Sequence, residues 1–287
     1  MEIAQHYIKR MLKMSYPSNQ LSIANSLPAV GPTPFCGKRS KQLATSLRVS
    51  ILHFFHRNPK HPLLCSVTHK IRFLLIETTL VTFAAILAIK VFDGSYLSRA
   101  TWFVAPGILV AAAIIPTAIK RRKFAEIGFN LEQIRSSLVV LGWTCVVVFP
   151  ITVCGLWLLK SYGLDLLLQP VPLQNQEWAC LLFYQFMYVA VAEEVFFRGY
   201  VQSNILRLTK IVKPEQCKPR QWISIVTSAA VFAVAHIIVT GEIISVLTFL
   251  PGLILGWLFI RTRSLLAPIL FHGLANTCYF CVAAVFA

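Results

Sequence analysis

The amino-acid sequence predicts an all-α, polytopic integral membrane protein with about seven transmembrane helices. Of its 287 residues, 56% are hydrophobic and only 13% are charged, which is too apolar for a soluble domain that must cover its core with polar surface. A hydrocarbon core about 30 Å thick needs roughly 20 apolar residues of helix to cross it, and runs of this length recur along the chain. Seven such runs are found, at approximately Arg72–Phe92, Thr101–Ile119, Leu138–Leu158, Trp178–Phe197, Trp222–Thr240, Ile243–Ile260 and Leu265–Phe286.

The distribution of charge supports a membrane location and predicts an orientation. Lys and Arg outnumber Asp and Glu by 27 to 11, which gives a net charge of +16. The bases concentrate before residue 72 and in segments 120–123, 198–220 and 261–263, while the other loops carry the acids Asp93, Asp165, Glu177 and Glu242. Cytoplasmic loops are rich in Lys and Arg, so we predict a multi-pass protein with a cytoplasmic N-terminus. The lipid bilayer, and no nucleic acid, is the predicted partner of this charge; a bacterial-type plasma membrane is favoured, with an organelle membrane as the alternative.

The N-terminal segment, residues 1–70, differs in composition from the rest of the chain. No acidic residue occurs between Ile3 and Ile76, while Lys, Arg, His, Ser and Pro recur. Such a segment cannot bury enough apolar surface to fold alone, so we predict a basic, disordered cytoplasmic tail. A start-site artefact or an organelle transit peptide, which is also poor in acids and rich in Ser, is compatible with the same composition.

Two adjacent carboxylates, Glu193 and Glu194, lie within the fourth predicted span. A charged side chain at the centre of the bilayer costs roughly 2.5 to 3.5 kcal/mol even on the lenient insertion scale. Arg198 follows Glu194 by four residues, about one helical turn, so these two side chains can form an ion pair. Glu193 points about 100° away, into the bundle, where a partly desolvated carboxylate can act as general base toward water. The alternative is that both glutamates only pair with bases at the cytoplasmic interface.

For Glu193 to lie at the depth of the other polar residues, the fourth helix must continue past Gly199. Tyr200, Val201, Ile205 and Leu206 preserve an apolar face there, so we predict a long fourth helix.

Two later spans carry His236, and His272 with Asn276 one turn after it. Taken singly, each is more typical of a hydrogen-bonded core residue or a polar contact between helices. Together with the glutamate pair, however, they are residue types that transfer protons or bind oxyanions, and this convergence favours a catalytic site.

Three motifs, in this order on successive predicted helices, resemble the CPBP family, the Abi or CAAX-type intramembrane proteases. They are Glu193-Glu194-Val195-Phe196-Phe197-Arg198-Gly199, Phe232-x-x-x-His236 and His272-x-x-x-Asn276. The resemblance covers the last four spans. It implies that Glu193 activates water with the assistance of His236, and that His272 and Asn276 stabilise the oxyanion. It also implies structural support of the site by the remaining charged residues of the first motif, Glu194 and Arg198.

The sequence is compatible with a site that works without a cofactor and with a site that binds zinc. Hydrolysis without a cofactor needs only a base for water and donors for the oxyanion. Alternatively, Glu193, His236 and His272 could bind Zn²⁺ with an open fourth position. Asn276 favours the cofactor-free state, because a carboxamide suits an oxyanion better than zinc. A His-Glu-x-x-His motif is absent, and both aspartates of the chain fall in predicted loops, which argues against zincin-type and paired-aspartate proteases.

The resemblance therefore implies an intramembrane endopeptidase that hydrolyses a peptide bond of a membrane-associated protein or peptide. Prenylated C-terminal peptides, sorting-tagged membrane proteins and bacteriocin-type peptides are all candidate substrates. A non-catalytic membrane scaffold and a proton-coupled carrier that uses the buried glutamates are the alternatives. Residues 71–160 would form accessory helices and residues 176–287 the four-helix catalytic core.

Three local expectations complete the prediction. Glu77 should pair with Lys70 or Arg72, near the cytoplasmic start of the first span. Asn130 should cap a short amphipathic helix before the third span. Gly252 and Gly256 should permit close helix packing in the sixth span.

Overall fold

The computed structural model describes residues 62–93, 101–163, 175–212 and 216–286, and the regular structure within these ranges is helical throughout. Predictions for residues 1–61 lie outside the described residues. The first helix begins at Pro62, so residues 62–70 of the segment predicted to be disordered are helical.

Seven helices follow one another along the described chain. They are α1 (Pro62–Asp93), α2 (Thr101–Ile119), α3 (Ile134–Ser161), α4 (residues 175–212), α5 (Cys217–Thr240), α6 (Ile243–Thr262) and α7 (Leu266–Phe286). Six of them are long and apolar enough to cross a membrane, and α2 has a shorter apolar stretch at Val104–Ile119. The prediction of an all-α, polytopic membrane fold is therefore confirmed.

The longest helix, α4, continues well beyond the hydrophobic run that predicted it. Its membrane-spanning part covers 35 residues, Trp178–Val212, which confirms the expectation that the helix passes Gly199. Two segments of α4 are π-helical, Tyr184–Ala190 and Val195–Gln202, and they enclose one α-helical turn at Val191–Glu194. Short π-helical segments inside α-helices are frequent at functional sites. The glutamate pair thus lies in the turn between two widened segments of the same helix.

The other helices surround α4 in two layers. The pair α1 and α2 packs against α4 and α5, α7 packs against the first half of α4, and α6 packs on α5. In the most apolar 18-residue stretch of each helix, 50% is buried in α4, α5 and α7, against 11% in α3. Helix α3 lies outermost and contacts α6 and α7 through pairs such as Phe149 and Phe271, whose rings stack with centroids 5.6 Å apart. The helices that carry the motifs therefore form the centre of the molecule.

Small residues bring α5 and α6 close together, as predicted. A Cβ atom on Gly252 would lie 3.2 Å from the Cβ and 3.3 Å from the Cα of Ala229, so a larger residue would push the two helices apart. One turn later, Gln202 of α4 donates from Nε2 to the Gly256 carbonyl oxygen at 3.0 Å. Close backbone approach of this kind is the usual reason for small residues between membrane helices.

The connection between α2 and α3 packs into the end of the bundle. Asn130 caps it as predicted, with Oδ1 accepting from the Glu132 N–H at 3.0 Å, but the capped helix is only one 3₁₀ turn, Leu131–Gln133, which runs directly into α3. The preceding Gly128 has a left-handed φ of 97° and accepts from the Leu265 N–H at 3.0 Å. On α4, a Cβ at Gly199 would lie 3.0 Å from the Ile127 carbonyl oxygen, which accounts for the glycine of the first motif.

The prediction for Glu77 is wrong. Its carboxylate forms an ion pair with Lys120, lies 3.9 Å from Arg122, and accepts from the Tyr200 hydroxyl at 3.5 Å. On a helix, Arg72 lies on nearly the opposite side from Glu77, and Lys70 is two turns away. The bases that follow α2 reach Glu77 instead, because α1 and α2 pack side by side.

Candidate active site

Four titratable side chains from three helices converge at the centre of the bundle. Glu193 and Glu194 come from α4, His236 from α5 and His272 from α7. Oε2 of Glu193 lies 3.8 Å from Nε2 of His236 and 3.8 Å from Nε2 of His272, while Oε1 of Glu194 lies 2.9 Å from Nδ1 of His272. All four residues are buried. The polar residues singled out in the three motifs are therefore neighbours in space as well as similar in chemistry.

Glu194 and Arg198 form the predicted ion pair. Nε of Arg198 lies 3.2 Å from Oε2 of Glu194, and neither side chain is exposed. The guanidinium also donates from Nη2 to the Gly252 carbonyl oxygen at 3.4 Å, and it lies over the Phe232 ring, 4.7 Å from the ring centroid. The two oxygens of Glu194 thus contact different partners, Arg198 on one side and His272 on the other.

Phe232 of the second motif packs against several parts of the site. Its ring centroid is 4.3 Å from that of His236, 5.0 Å from that of Phe197 and 6.1 Å from that of His272. A single aromatic ring thus packs against both imidazoles and the guanidinium of Arg198. This packing restricts the orientations open to the two histidine rings.

Glu193 is held differently from its neighbour. Oε2 of each glutamate is buried without a hydrogen-bond partner among the described residues, but Oε2 of Glu194 lies 3.2 Å from Nε of Arg198, whereas Glu193 has no arginine at this distance. Glu193 is also 9% exposed, at the edge of the buried interior. The 3.8 Å separations from the two imidazoles exceed the range of a direct hydrogen bond, about 2.7 to 3.2 Å. A buried carboxylate oxygen without a partner is rare in proteins and is typical of a functional position.

The hydrogen bonds of the two imidazoles determine which ring atoms face Glu193. Nδ1 of His236 lies 2.9 Å from the Phe232 carbonyl oxygen, which can only accept, so Nδ1 carries a hydrogen. Nδ1 of His272 donates in the same way to the Glu194 carboxylate at 2.9 Å. In each neutral ring Nε2 is then an acceptor, and in each case Nε2 is the atom directed at Glu193.

Asn276 faces α4 one turn after His272, and its partner is a residue that the sequence analysis missed. Nδ2 of Asn276 donates to Oε1 of Gln185 at 2.9 Å, and Gln185 is fully buried. Gln185 is the one amide or charged residue in the apolar run from Trp178 to Ala192. The argument that singled out the glutamates, the cost of a polar group in hydrocarbon, could have identified it too.

A mostly apolar cavity leads to Glu193 and His236. It lies between α4 and α5 on one side and α1 and α2 on the other. The wall from α1 and α2 includes Ile86, Ile89, Ala105 and Leu109. The first two helices therefore border the space that leads to the glutamate.

The structure brings together the three residues considered for zinc. Glu193, His236 and His272 direct a carboxylate oxygen and two Nε2 atoms toward one another, but across residues 62–93, 101–163, 175–212 and 216–286 no group of three His, Cys, Asp or Glu side chains is arranged to hold a metal ion. Cys278 and Cys281 are free thiols.

The two glutamates should differ in their effect on stability. Glu194→Gln leaves the Arg198 guanidinium buried without a countercharge, and removing one partner of a buried pair costs about 3 to 5 kcal/mol. Glu193→Gln removes a carboxylate that has no hydrogen-bond partner at Oε2, so the free energy of unfolding should stay the same or rise. Denaturant unfolding of the purified variants in detergent checks both values.

The double variant Glu194→Gln/Arg198→Met is the matched control for this comparison. It removes both charges and should recover most of the stability lost in Glu194→Gln. Equal destabilisation by Glu193→Gln and Glu194→Gln would contradict the division between the two carboxylates.

Comparison with known proteins adds an independent observation. Residues 175–278 match the family model described as type II CAAX prenyl endopeptidase Rce1-like. The match begins with α4 and ends within α7, so it includes all three motifs and excludes α1, α2 and α3. No curated protein and no solved structure matches the chain. The resemblance to CAAX-type membrane endopeptidases is thereby confirmed over residues 175–278.

Proposed function

We propose that the chain is an intramembrane endopeptidase in which Glu193 activates water to hydrolyse a peptide bond. The observation that carries the proposal is the contrast between the contacts of the adjacent carboxylates. Glu194 lies 3.2 Å from Nε of Arg198 and 2.9 Å from Nδ1 of His272, while Oε2 of Glu193 lies 3.8 Å from each of two imidazole Nε2 atoms. The match of residues 175–278 to CAAX prenyl endopeptidases supports the same activity.

Water activation follows from the acceptors that face one another. One water molecule can bridge two groups separated by more than a direct hydrogen bond, as Oε2 of Glu193 and Nε2 of His236 are at 3.8 Å. Such a water would donate one hydrogen to each acceptor, which turns its oxygen lone pair toward the substrate. Glu193 takes one proton as the water oxygen bonds to the carbonyl carbon, and the carbonyl electron pair moves onto oxygen.

His272 and Asn276 are the proposed donors to the resulting oxyanion. Because Nδ1 of His272 donates to Glu194, Nε2 can donate only when the ring carries both protons, and we assign His272 that state in the reaction. Asn276 uses one hydrogen of Nδ2 for Gln185 and has a second for the oxyanion. Donors fixed in advance in a water-poor site contribute more to the rate than the same donors in water.

The second step returns the proton. The oxyanion reforms the carbonyl, the carbon–nitrogen bond breaks, and Glu193 delivers its proton to the leaving nitrogen. The products are a carboxylic acid and an amine, and Glu193 is again a carboxylate. In this scheme Glu194 balances Arg198, and Glu193 balances the doubly protonated His272 ring. A neutral cluster costs far less to bury than an isolated charge.

The cavity supports a substrate with an apolar segment beside the scissile bond. Its wall is mostly apolar, and it reaches Glu193 and His236 from the side of α1 and α2. The family description names prenylated CAAX proteins as substrates, so a farnesylated peptide with a CAAX C-terminus is the first substrate to test.

Glu193→Gln should reduce peptide cleavage by about 10²- to 10⁴-fold, the usual contribution of a general base. The measurement is cleavage of the farnesylated peptide by the purified chain in liposomes. Glu132→Gln, which changes an exposed acid in the same way, is the matched control and should retain full activity.

The rival functions give different results in the same liposomes. A scaffold would cleave nothing. A proton-coupled carrier would show solute uptake that depends on a pH gradient and on Glu193, without cleavage. If Glu193→Gln cleaves the peptide at the wild-type rate, the glutamate mechanism is refuted.

Metal-independent hydrolysis is part of the proposal, because the base and the oxyanion donors are already supplied by protein side chains. Cleavage should therefore be unchanged within about twofold after treatment with 1,10-phenanthroline. Elemental analysis of the purified protein should find zinc well below one atom per chain. Loss of activity with the chelator, restored by added Zn²⁺, would support the Glu193, His236 and His272 site instead.

Filling the cavity should weaken substrate binding. Ala105→Leu on α2 adds three carbon atoms where Ala105 lines the cavity, and should raise KM about tenfold or more because pockets discriminate by such volumes. Ala118→Leu, at an exposed position of the same helix, is the matched control and should leave KM unchanged. Equal KM values for the two variants would mean that the substrate does not use this cavity.

A further inference from the structure

We propose that Gln185 is a positioning residue for the reaction, which holds the Asn276 side chain in place for the oxyanion from the helix that also carries Glu193. The inference rests on the proposed function, since it assigns a role within that mechanism. It concerns a residue outside the three sequence motifs.

The contact itself is well defined. Oε1 of Gln185 accepts from Nδ2 of Asn276 at 2.9 Å, across the interface between α4 and α7. Gln185 is fully buried and Asn276 is 7% exposed, so water competes little for either amide. In an apolar interior a hydrogen bond of this kind is stronger than at the surface, and its loss leaves a buried donor without a partner.

An oxyanion donor needs this support because its position decides its effect. A donor contributes when its nitrogen lies about 2.7 to 3.1 Å from the developing oxyanion, and a 1 Å displacement can cost about 10²-fold in rate. Asn276 can rotate about two side-chain bonds. Gln185 fixes that rotation through one hydrogen of Nδ2 and leaves the other hydrogen for the substrate.

The position of Gln185 on the same helix as Glu193 supports the inference. Gln185 lies in the first π-helical segment, Tyr184–Ala190, and Glu193 lies in the α-helical turn that follows. The same helix therefore holds the proposed base and, through Gln185, one proposed oxyanion donor. The contact therefore ties the position of Asn276 on α7 to the helix that holds the proposed base.

Nε2 of Gln185 is buried and has no hydrogen-bond partner among the described residues. Gln202, another fully buried amide of α4, also has one end without a partner in the described part of the chain, Oε1, and bonds from Nε2 to the Gly256 carbonyl oxygen, so the two amides are matched in burial and in hydrogen bonding. An unpartnered buried donor lowers stability, so stability alone does not account for the Gln185 amide.

The test is a double-mutant cycle between Gln185 and Asn276, with cleavage of the farnesylated peptide in liposomes as the assay. Gln185→Met should lower kcat about 10- to 100-fold and leave KM within about twofold. Gln185→Glu retains an acceptor oxygen for Asn276 and should recover most of that loss. In an Asn276→Ala background, Gln185→Met should have no further effect, because the residue acts through Asn276.

Gln202→Met is the matched control, a fully buried amide of the same helix that bonds to α6 and not to the site. It should change the unfolding free energy without changing kcat. Additive losses in the cycle, a Gln185→Glu variant as poor as Gln185→Met, or a loss confined to stability would each overturn the inference. Failure of the proposed function would be recognised separately, by cleavage that persists in Glu193→Gln.

Discussion

The fully buried ion pair between Glu194 and Arg198 is the interaction on which the rest of the site depends. It places a carboxylate and a guanidinium in the middle of an apolar bundle, where each charge alone would be prohibitively costly. The pair is then used as a framework: Arg198 reaches the Gly252 carbonyl and the Phe232 ring, and Glu194 orients His272. Of the two adjacent glutamates, Glu193 has no arginine partner among the described residues, and its Oε2 lies 3.8 Å from the nearest imidazole nitrogens.

In the proposed mechanism, two adjacent and identical residues have different roles, since Glu194 supports the site and Glu193 takes part in the chemistry. The helical offset of about 100° directs one glutamate at Arg198 and the other at the two imidazoles. If both glutamates had paired with Arg198, neither carboxylate would have been free to accept a proton. A similar separation holds on α7, where His272 is bound to Glu194 and Asn276 is bound to Gln185. Each of these two α7 side chains therefore has one ring or amide atom bonded to a neighbour and another available.

The sequence predicted those features that depend on a single helix or on apolar length. The spans, the continuation of α4 past Gly199 and the contact between Glu194 and Arg198 follow from hydropathy and from i, i+4 geometry. Contacts between helices were not predictable in the same way. Lys120 reaches Glu77 over 43 residues, and Asn276 reaches Gln185 over 91, because tertiary packing and not local periodicity brings them together. For Gln185 the signal was present, as a lone amide in an apolar run, but its partner was not.

The local character of the Glu194–Arg198 pair has a consequence for biosynthesis. Both charges lie on α4, so they can neutralise each other as soon as that one helix forms, before α5, α6 or α7 has been synthesised. A helix that carries its own countercharge enters a bilayer more readily than one with a bare carboxylate and a bare guanidinium. Glu193, in contrast, meets His236 and His272 only after α5 and α7 have inserted. The positions of these residues thus predict an order of assembly in which the Glu194–Arg198 pair forms first. The residues of the proposed active site come together only when α7 is in the membrane.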